Sequence, residues 1–379
     1  MQLPQRKKIW ALAIVAIILG ISLTPTACYL SRGAWEEGKI LARRQPIAKI
    51  VLDKHTDPVT KQKLALVVAA REYARDSIKL RTNDSFTTYS KLDHDTLVLV
   101  LSAAYRDRLE AYTWWFPIVG RVPYKGFFDF DAARVAAKSF HDDGFDVSLR
   151  PSAAFSTLGF FNDPLTSTTL AIDSLDLANT VIHETTHNTF YASGQAAFNE
   201  SFASFVGARG AAAFFRSRGQ PLAAAKVDAE WADEKILGNF WTRLARSLDS
   251  AYASHKDSRD GRIAARDTVY QRARQQLVSD IAPQLQTIGP FYAQRVPLDN
   301  ASLLARRVYA KDLDLFDQVH VKEGKNLRRT IGRIIGLAKK KPNDPFEALR
   351  VWLGASSTGA RGSLPVEHQS IAHTIVTSH

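Results

Sequence analysis

The segment His183-Glu184-Thr185-Thr186-His187 lies in a run free of Gly and Pro, with its two histidines four positions apart. On a helix, residues at that spacing share one face a single turn apart. Two imidazoles placed there can grip one ion without distorting the backbone. Neutral imidazole nitrogen suits Zn2+, and a glutamate between the histidines falls beside the open position of the metal, where it can take a proton from bound water. Twelve residues separate His187 from Glu200, and the break at Ala192 to Gly194 lets a second helix fold back and bring that carboxylate into reach. Phe198, Phe202, Phe205 and Val206 give this second helix an apolar face to bury. The expected ligands are therefore His183, His187 and Glu200, with Glu184 as general base. Two His and one Glu leave the fourth corner of a tetrahedral ion to water, a catalytic arrangement, whereas a structural zinc is closed by four protein ligands. Iron is the alternative ion. A lone histidine on a helix is more often solvated or satisfied by a neighbour; the four residues together are what point to a metal.

The surroundings read as mainly helical. Asp173 or Ser174 caps a helix reaching to about Tyr191, with Asp176 in its first turn, and Gly194 ends it. The next helix runs from about Ala196 to Arg218 and stops at Gly219-Gln220-Pro221. Pro221 to Ile281 reads as a long helical hairpin turning at His255 to Gly261, and more helix follows to about Leu353. Upstream, Trp35 to Arg44 is basic and amphipathic, and Lys61 to Lys79 carries Leu64, Val67, Val68 and Ala74 near helical spacing. Asp93 to Ala111 and Phe130 to Phe140 are also expected to be helical. Trp114 to Tyr124 is aromatic and broken by proline, an ordered loop. Phe145 to Leu149 alternates as a strand does, and Thr166 to Ile172 is rich in β-branched residues, so a second strand is expected there, one that could pair with an extended peptide. The fold class that follows is α+β, mainly α-helical, with a small mixed sheet.

Arg6, Lys7 and Lys8 precede an apolar run from Ile9 to Leu23, which leads to Thr24-Pro25-Thr26-Ala27-Cys28. A positive start, an apolar stretch shorter than a comfortable membrane span and a small-residue exit are the pattern of a secretory leader. The body would then be translocated and held on the outer face of a membrane. Cys28 is the only cysteine, so no intramolecular disulfide can form, and it falls where a bacterial lipoprotein is cleaved and acylated. Pro25 stands where such leaders usually carry Leu, and the other reading is an uncleaved signal anchor. Residues 1–28 are thus the leader or anchor, 29–355 the body with its hairpin at 221–282, and 356–379 a flexible tail rich in Ser, Gly and Thr. The net charge of +12 would suit nucleic acid, but the basic residues are scattered and the leader directs the chain away from it, so no nucleic-acid partner is expected. The sequence sets no oligomeric state.

Four stretches, WWFPIVGRVPYKGFFD (114–129), FSTLGFFNDPL (155–165), VIHETTHNTFY (181–191) and FNESFASFVG (198–207), resemble a family of bacterial predicted aminopeptidases within the gluzincin-type zinc peptidases. The similarity covers nearly all the mature chain, and the spacing from His187 to Glu200 and the lipoprotein-like N-terminus ending near Cys28 fit the same pattern. Thr185-Thr186 departs from it, replacing more apolar residues, and the tail after Ser356 has no counterpart in it. The resemblance implies a zincin-like core, a peptide substrate and an aminopeptidase activity at the cell envelope. It also points to Tyr309, within the segment from Leu298 to Tyr309, as the donor that stabilises the oxyanion, with Tyr124 and Tyr191 as alternatives. An exopeptidase needs carboxylates to hold the free amine; Asp129, Asp163 and Asp173 are available, although each also fits a cap or turn. Two other functions fit parts of the pattern. One is an envelope scaffold in which zinc is structural or vestigial, and the other is a hydrolase acting on an amide of the cell wall.

Overall fold

The computed structural model describes residues 25–93, 96, 98–116, 120–152 and 164–354. The leader's apolar run, the tail from Ser356 and most of the 155–165 stretch lie outside the described residues. The longer helices are α1 (Pro25–Ala42), α2 (Pro58–Asp76), α3 (Phe130–Asp142), α4 (Ser174–Thr189), α5 (Ala196–Ser217), α6 (Pro221–Ser254), α7 (Arg259–Gln276), α8 (Asn300–Tyr309), α9 (Leu313–Lys322), α10 (Leu327–Lys340) and α11 (Pro345–Leu353). The strands are β1 (Gln45–Pro46), β2 (Thr88–Ser90), β3 (Val98–Tyr105), β4 (Trp114–Phe116), β5 (Gly120–Val122), β6 (Lys125–Phe127), β7 (Phe145–Ser152) and β8 (Leu165–Thr166). The fold is α+β and mainly helical. Its sheets are small: β3 lies between β6 and β7, antiparallel to both; β4 and β5 form a hairpin; and β2 pairs antiparallel with β1 and parallel with β8.

Most helix starts follow from side-chain caps. Asp57, Asp129, Asp173, Ser258, Asp299, Asn326 and Asp344 each accept backbone N–H groups at the start of the helix that follows, satisfying donors that a helix leaves without partners. The expected hairpin is present as α6 and α7, closed at the far end by a π-helical turn over Leu277–Ile281. Asp233, fully buried on α6, fixes the chain beyond that turn by accepting the N–H groups of Gln286 and Thr287 and the Thr287 hydroxyl.

Trp114 to Tyr124 is not a loop throughout, because its aromatic and β-branched side chains let Trp114–Phe116 and Gly120–Val122 pair as the β4–β5 hairpin. Two further expectations fail. Asp93 to Ala111 is not helical; it contains β3, the central strand of its sheet. The segment VLVLSAAY is a continuous apolar run buried on both faces, a pattern whose periodicity does not separate strand from helix. Thr166 to Ile172 is not a strand either: only Leu165–Thr166 pairs, and Ser167–Ala171 is a short helix. There the Thr166 hydroxyl caps the Thr169 N–H, and the Lys63 ammonium donates to the carbonyls of Leu170, Ala171 and Ile172 at 2.9, 3.0 and 2.6 Å. Local side-chain bonds to backbone outweigh β-propensity, and the segment offers no strand to an extended peptide.

Buried side chains form two apolar clusters. The larger joins α2, α4, α5 and α9 to α11, and includes Leu64, Val181, Phe198, Phe202, Phe205 and Phe316. The other is built on the hairpin, around Phe240, Trp241, Leu248 and Leu277. Among the described residues no helix is long and apolar enough to cross a membrane, and the Ile9–Leu23 run lies outside them.

Candidate metal centre

Helix α4 presents His183, Glu184 and His187 from a rigid base. Leu177, Ala178, Val181 and Ile182 are fully buried along its inner side. Thr185 and Thr186 are buried as well, and their hydroxyls donate back to the carbonyls of Val181 (2.6 Å) and Ile182 (2.9 Å). The two polar residues that depart from the family motif are thereby satisfied inside their own helix. The helix stops at Thr189 with Phe190 extended; Gly194, with φ of 72°, lies in the link and does not itself end the helix. Arg81 holds this end by donating from its backbone N–H to the Thr189 hydroxyl (2.9 Å) and from its guanidinium to the Thr189 carbonyl.

The link to α5 is set by the residue before the third donor. Asn199 accepts from the Ala192 N–H through Oδ1 and donates to the Ala192 carbonyl through Nδ2, both at 2.8 Å. This two-point clamp fixes the start of α5 and hence the position of Glu200. The helices then run past one another at close range because of Gly207. A Cβ there would lie 2.2 Å from Asn179 Oδ1, 3.1 Å from the Asn179 carbonyl and 3.2 Å from His183 Cβ.

These constraints bring the three predicted ligands together. His183 Nε2 lies 3.2 Å from His187 Nε2 and 3.5 Å from Glu200 Oε2, and His187 Nε2 lies 3.7 Å from Glu200 Oε1. Ligands roughly 2.0–2.1 Å from a tetrahedral Zn2+ stand about 3.3 Å from each other, so the spacing of the trio suits such an ion. The three form a group able to hold a metal. His187 and Glu200 are almost enclosed, whereas the side chains of His183 and Glu184 keep 16% and 17% of their area open. The open side of the trio is therefore the side on which Glu184 stands, with Oε1 4.0 Å from His183 Nε2.

All three tyrosines named from the sequence border this region. The Tyr191 ring centroid is 6.3 Å from that of His187. Tyr309 ends α8; burial pushes its hydroxyl pKa up, Glu200 adds to the shift, Arg150 opposes it, and Tyr124 and Glu184 add further. The backbone beyond Tyr309 is tied to the neighbour of Glu200, since Ser201 Oγ accepts from the Lys311 N–H at 3.1 Å. Asp129 and Asp173 are helix caps, and Asp163 lies outside the described residues.

Two charged residues near the site had no sequence signal. Arg150 lies on β7 just past the expected end of the strand, which continues to Ser152. Glu234 on α6 is reached by solvent, yet burial by its surroundings pushes its carboxyl up to about 7, with His183 opposing the shift and Glu230 and Asp176 adding to it.

A family model described as "putative aminopeptidase" matches residues 28–349. No curated protein and no solved structure matches the chain.

Proposed function

The chain belongs to the putative aminopeptidase family, and on that premise we propose that it is a zinc-dependent peptidase of the gluzincin type. The observation that carries this reading is the convergence of His183, His187 and Glu200 within ligand distance, with Glu184 on their open side. Zn2+ held there would supply Lewis acidity, acidifying water and polarising a carbonyl. Glu184 takes the proton of the attacking water and passes it to the leaving amine. Tyr309, kept protonated by its surroundings, donates to the oxyanion that develops on the scissile carbonyl. Glu234 interacts with His183, and Glu230 and Asp176 interact with Glu234; this group of carboxyls would receive the free amine of an aminopeptidase substrate. The leader pattern supports an extracytoplasmic position for the body at the bacterial envelope, tethered through an N-terminal anchor or a lipid on Cys28.

Glu184→Gln tests the reading. Removing a general base lowers turnover by about 10²–10⁴-fold, and the variant should keep zinc in stoichiometric amount, because Glu184 is not one of the ligands. His183→Ala should lose the ion itself. Peptide cleavage by Glu184→Gln at the unmodified rate would overturn the assignment. Stoichiometric zinc in an unmodified protein that cleaves nothing in a peptide library would favour a structural ion in an envelope scaffold.

A further inference from the structure

Arg150 stands out among the partly buried arginines of this protein. It lies on β7 opposite Val100 of β3, within the longest strand pair of the fold. Its Nε is shut off from solvent and has no hydrogen-bond partner, and no ion pair to it is found among the described residues. Arg266, whose Nε is likewise enclosed and without a partner, still pairs with Asp146; Arg209 pairs with Asp317 and Asp228, and Arg274 donates to the carbonyls of Ala293 and Val296. Burial works against the charge of Arg150, and its nearest electrostatic neighbours are Tyr309, Arg306 and Tyr124, none of them a carboxylate. Guanidinium does not shed its proton at any ordinary pH, and a buried charge without a counter-charge is strongly unfavourable. A carboxylate brought by a ligand would supply the counter-charge.

Its placement says which one. Helix α8, which ends at Tyr309, packs both on β7, which carries Arg150, and on α5, which carries Glu200, so the guanidinium and the metal donors flank the same helix. Arg306, one helical turn before Tyr309 on α8, adds a second positive charge to that wall. The carboxyl groups lie on the other side: Glu234 interacts with His183, and Glu230 and Asp176 interact with Glu234. The site is thus polarised, acidic next to one ligand and basic beyond the tyrosine, which is the complement of a short zwitterionic peptide.

We propose that Arg150 binds the C-terminal carboxylate of the substrate, which makes this site selective for peptides of two or three residues with a free C-terminus. The assignment rests on the peptidase reading for the scissile bond lying at the trio. A planar fork of donors matches a carboxylate in two-point fashion.

The test is equilibrium binding to zinc-loaded, full-length Glu184→Gln protein, in which turnover is suppressed. Three ligands are compared by calorimetry: Ala-Ala, its C-terminal amide, and Ala-Asp amide, which moves the carboxylate to a side chain. Ala-Ala should bind at least about tenfold tighter than its amide, the range of a charge-assisted hydrogen bond. Adding Arg150→Gln should bring the ratio close to one, and Arg150→Lys should restore part of it. Equal binding of acid and amide by the protein that retains Arg150 overturns the proposal without any change at position 150, so a variant that failed to fold would not shelter it. A ratio unmoved by Arg150→Gln also overturns it, as does Ala-Asp amide binding as tightly as Ala-Ala. Cleavage by the unmodified protein separates the two readings. Equal cleavage of acid and amide sinks the role of Arg150 and leaves the peptidase standing; acid-selective binding with no cleavage of any peptide does the reverse.

Discussion

Glu234 shows how much a single side chain can owe to a neighbourhood that sequence does not display. Its carboxyl is raised from 4.5 to about 7 by burial, with Glu230 and Asp176 adding repulsion and His183 opposing. In the unfolded chain the group loses its proton near its ordinary value; in the folded protein it keeps it until about pH 7. Its contribution to stability is therefore full below about 4.5 and is lost as pH rises through 7. Glu234→Gln, neutral at every pH, should leave the melting temperature of chelator-treated protein unchanged near pH 4 and raise it at pH 8. Thermal scans at both values check this, and an equal effect at the two would show that the carboxyl does not titrate as described. The metal trio is different: its residues could be read from the sequence because helix periodicity and ligand chemistry fix their spacing. Arg150 and Glu234 could not, because their importance depends on which strand and which helix end up facing the trio, and nothing local to either residue encodes that.

At the scale of elements, the decisive feature is the pair α4 and α5, and the decisive residue in it is a glycine. The sequence announced both helices, the cap of the first and the apolar face of the second, and Asn199 beside Glu200 could be seen as part of a motif. The close crossing at Gly207 could not, because a glycine inside a helical pattern carries no label for the partner it meets. A methyl group there would press on the Asn179 backbone and on His183 Cβ. Gly207→Ala should therefore shift His183 relative to Glu200 and weaken zinc by about 10–100-fold, the usual effect of disturbing what orients a ligand, with a loss of about 1–3 kcal/mol from overpacking. Competition with a chromophoric chelator measures the first, and unmodified zinc affinity would show that the helices can separate without moving the ligand. The two misjudged segments teach a related lesson. β3 and the Thr166–Ile172 turn are short apolar or β-branched runs whose state is settled by partners distant in sequence, β6 and β7 for the one and Lys63 for the other.

The molecule as a whole is joined at Asp146. This carboxylate, 5% exposed on β7, accepts from the guanidinium groups of Arg106 and Arg266 and, at 2.8 Å, from the N–H of Asn300 at the start of α8. Asn300 in turn accepts the hydroxyls of Tyr252 on α6 (3.1 Å) and Tyr270 on α7 (2.7 Å), and donates to the Tyr105 carbonyl of β3 at 2.7 Å. One network thus ties the sheet that carries Arg150, both arms of the hairpin and the helix that carries Tyr309. Its groups are enclosed, so removing one member leaves the others desolvated and unmatched. Burial already pushes the Tyr252 hydroxyl up to about 12. Asp146→Ala should lower the free energy of unfolding by about 3–5 kcal/mol, the range for breaking a buried ion pair from one side. None of the three metal donors sits on these elements: His183, His187 and Glu200 belong to α4 and α5, whose packing lies in the other apolar cluster. Under conditions where Asp146→Ala remains folded, zinc should accordingly stay stoichiometric while the preference for a free C-terminus falls, because Arg150 and Tyr309 lose their common support. Denaturant titration gives the first quantity, metal analysis the second, and the acid-to-amide binding ratio the third. Loss of zinc in step with loss of that ratio would mean that the centre depends on the sheet and hairpin after all, and that the division of labour between the two clusters is wrong.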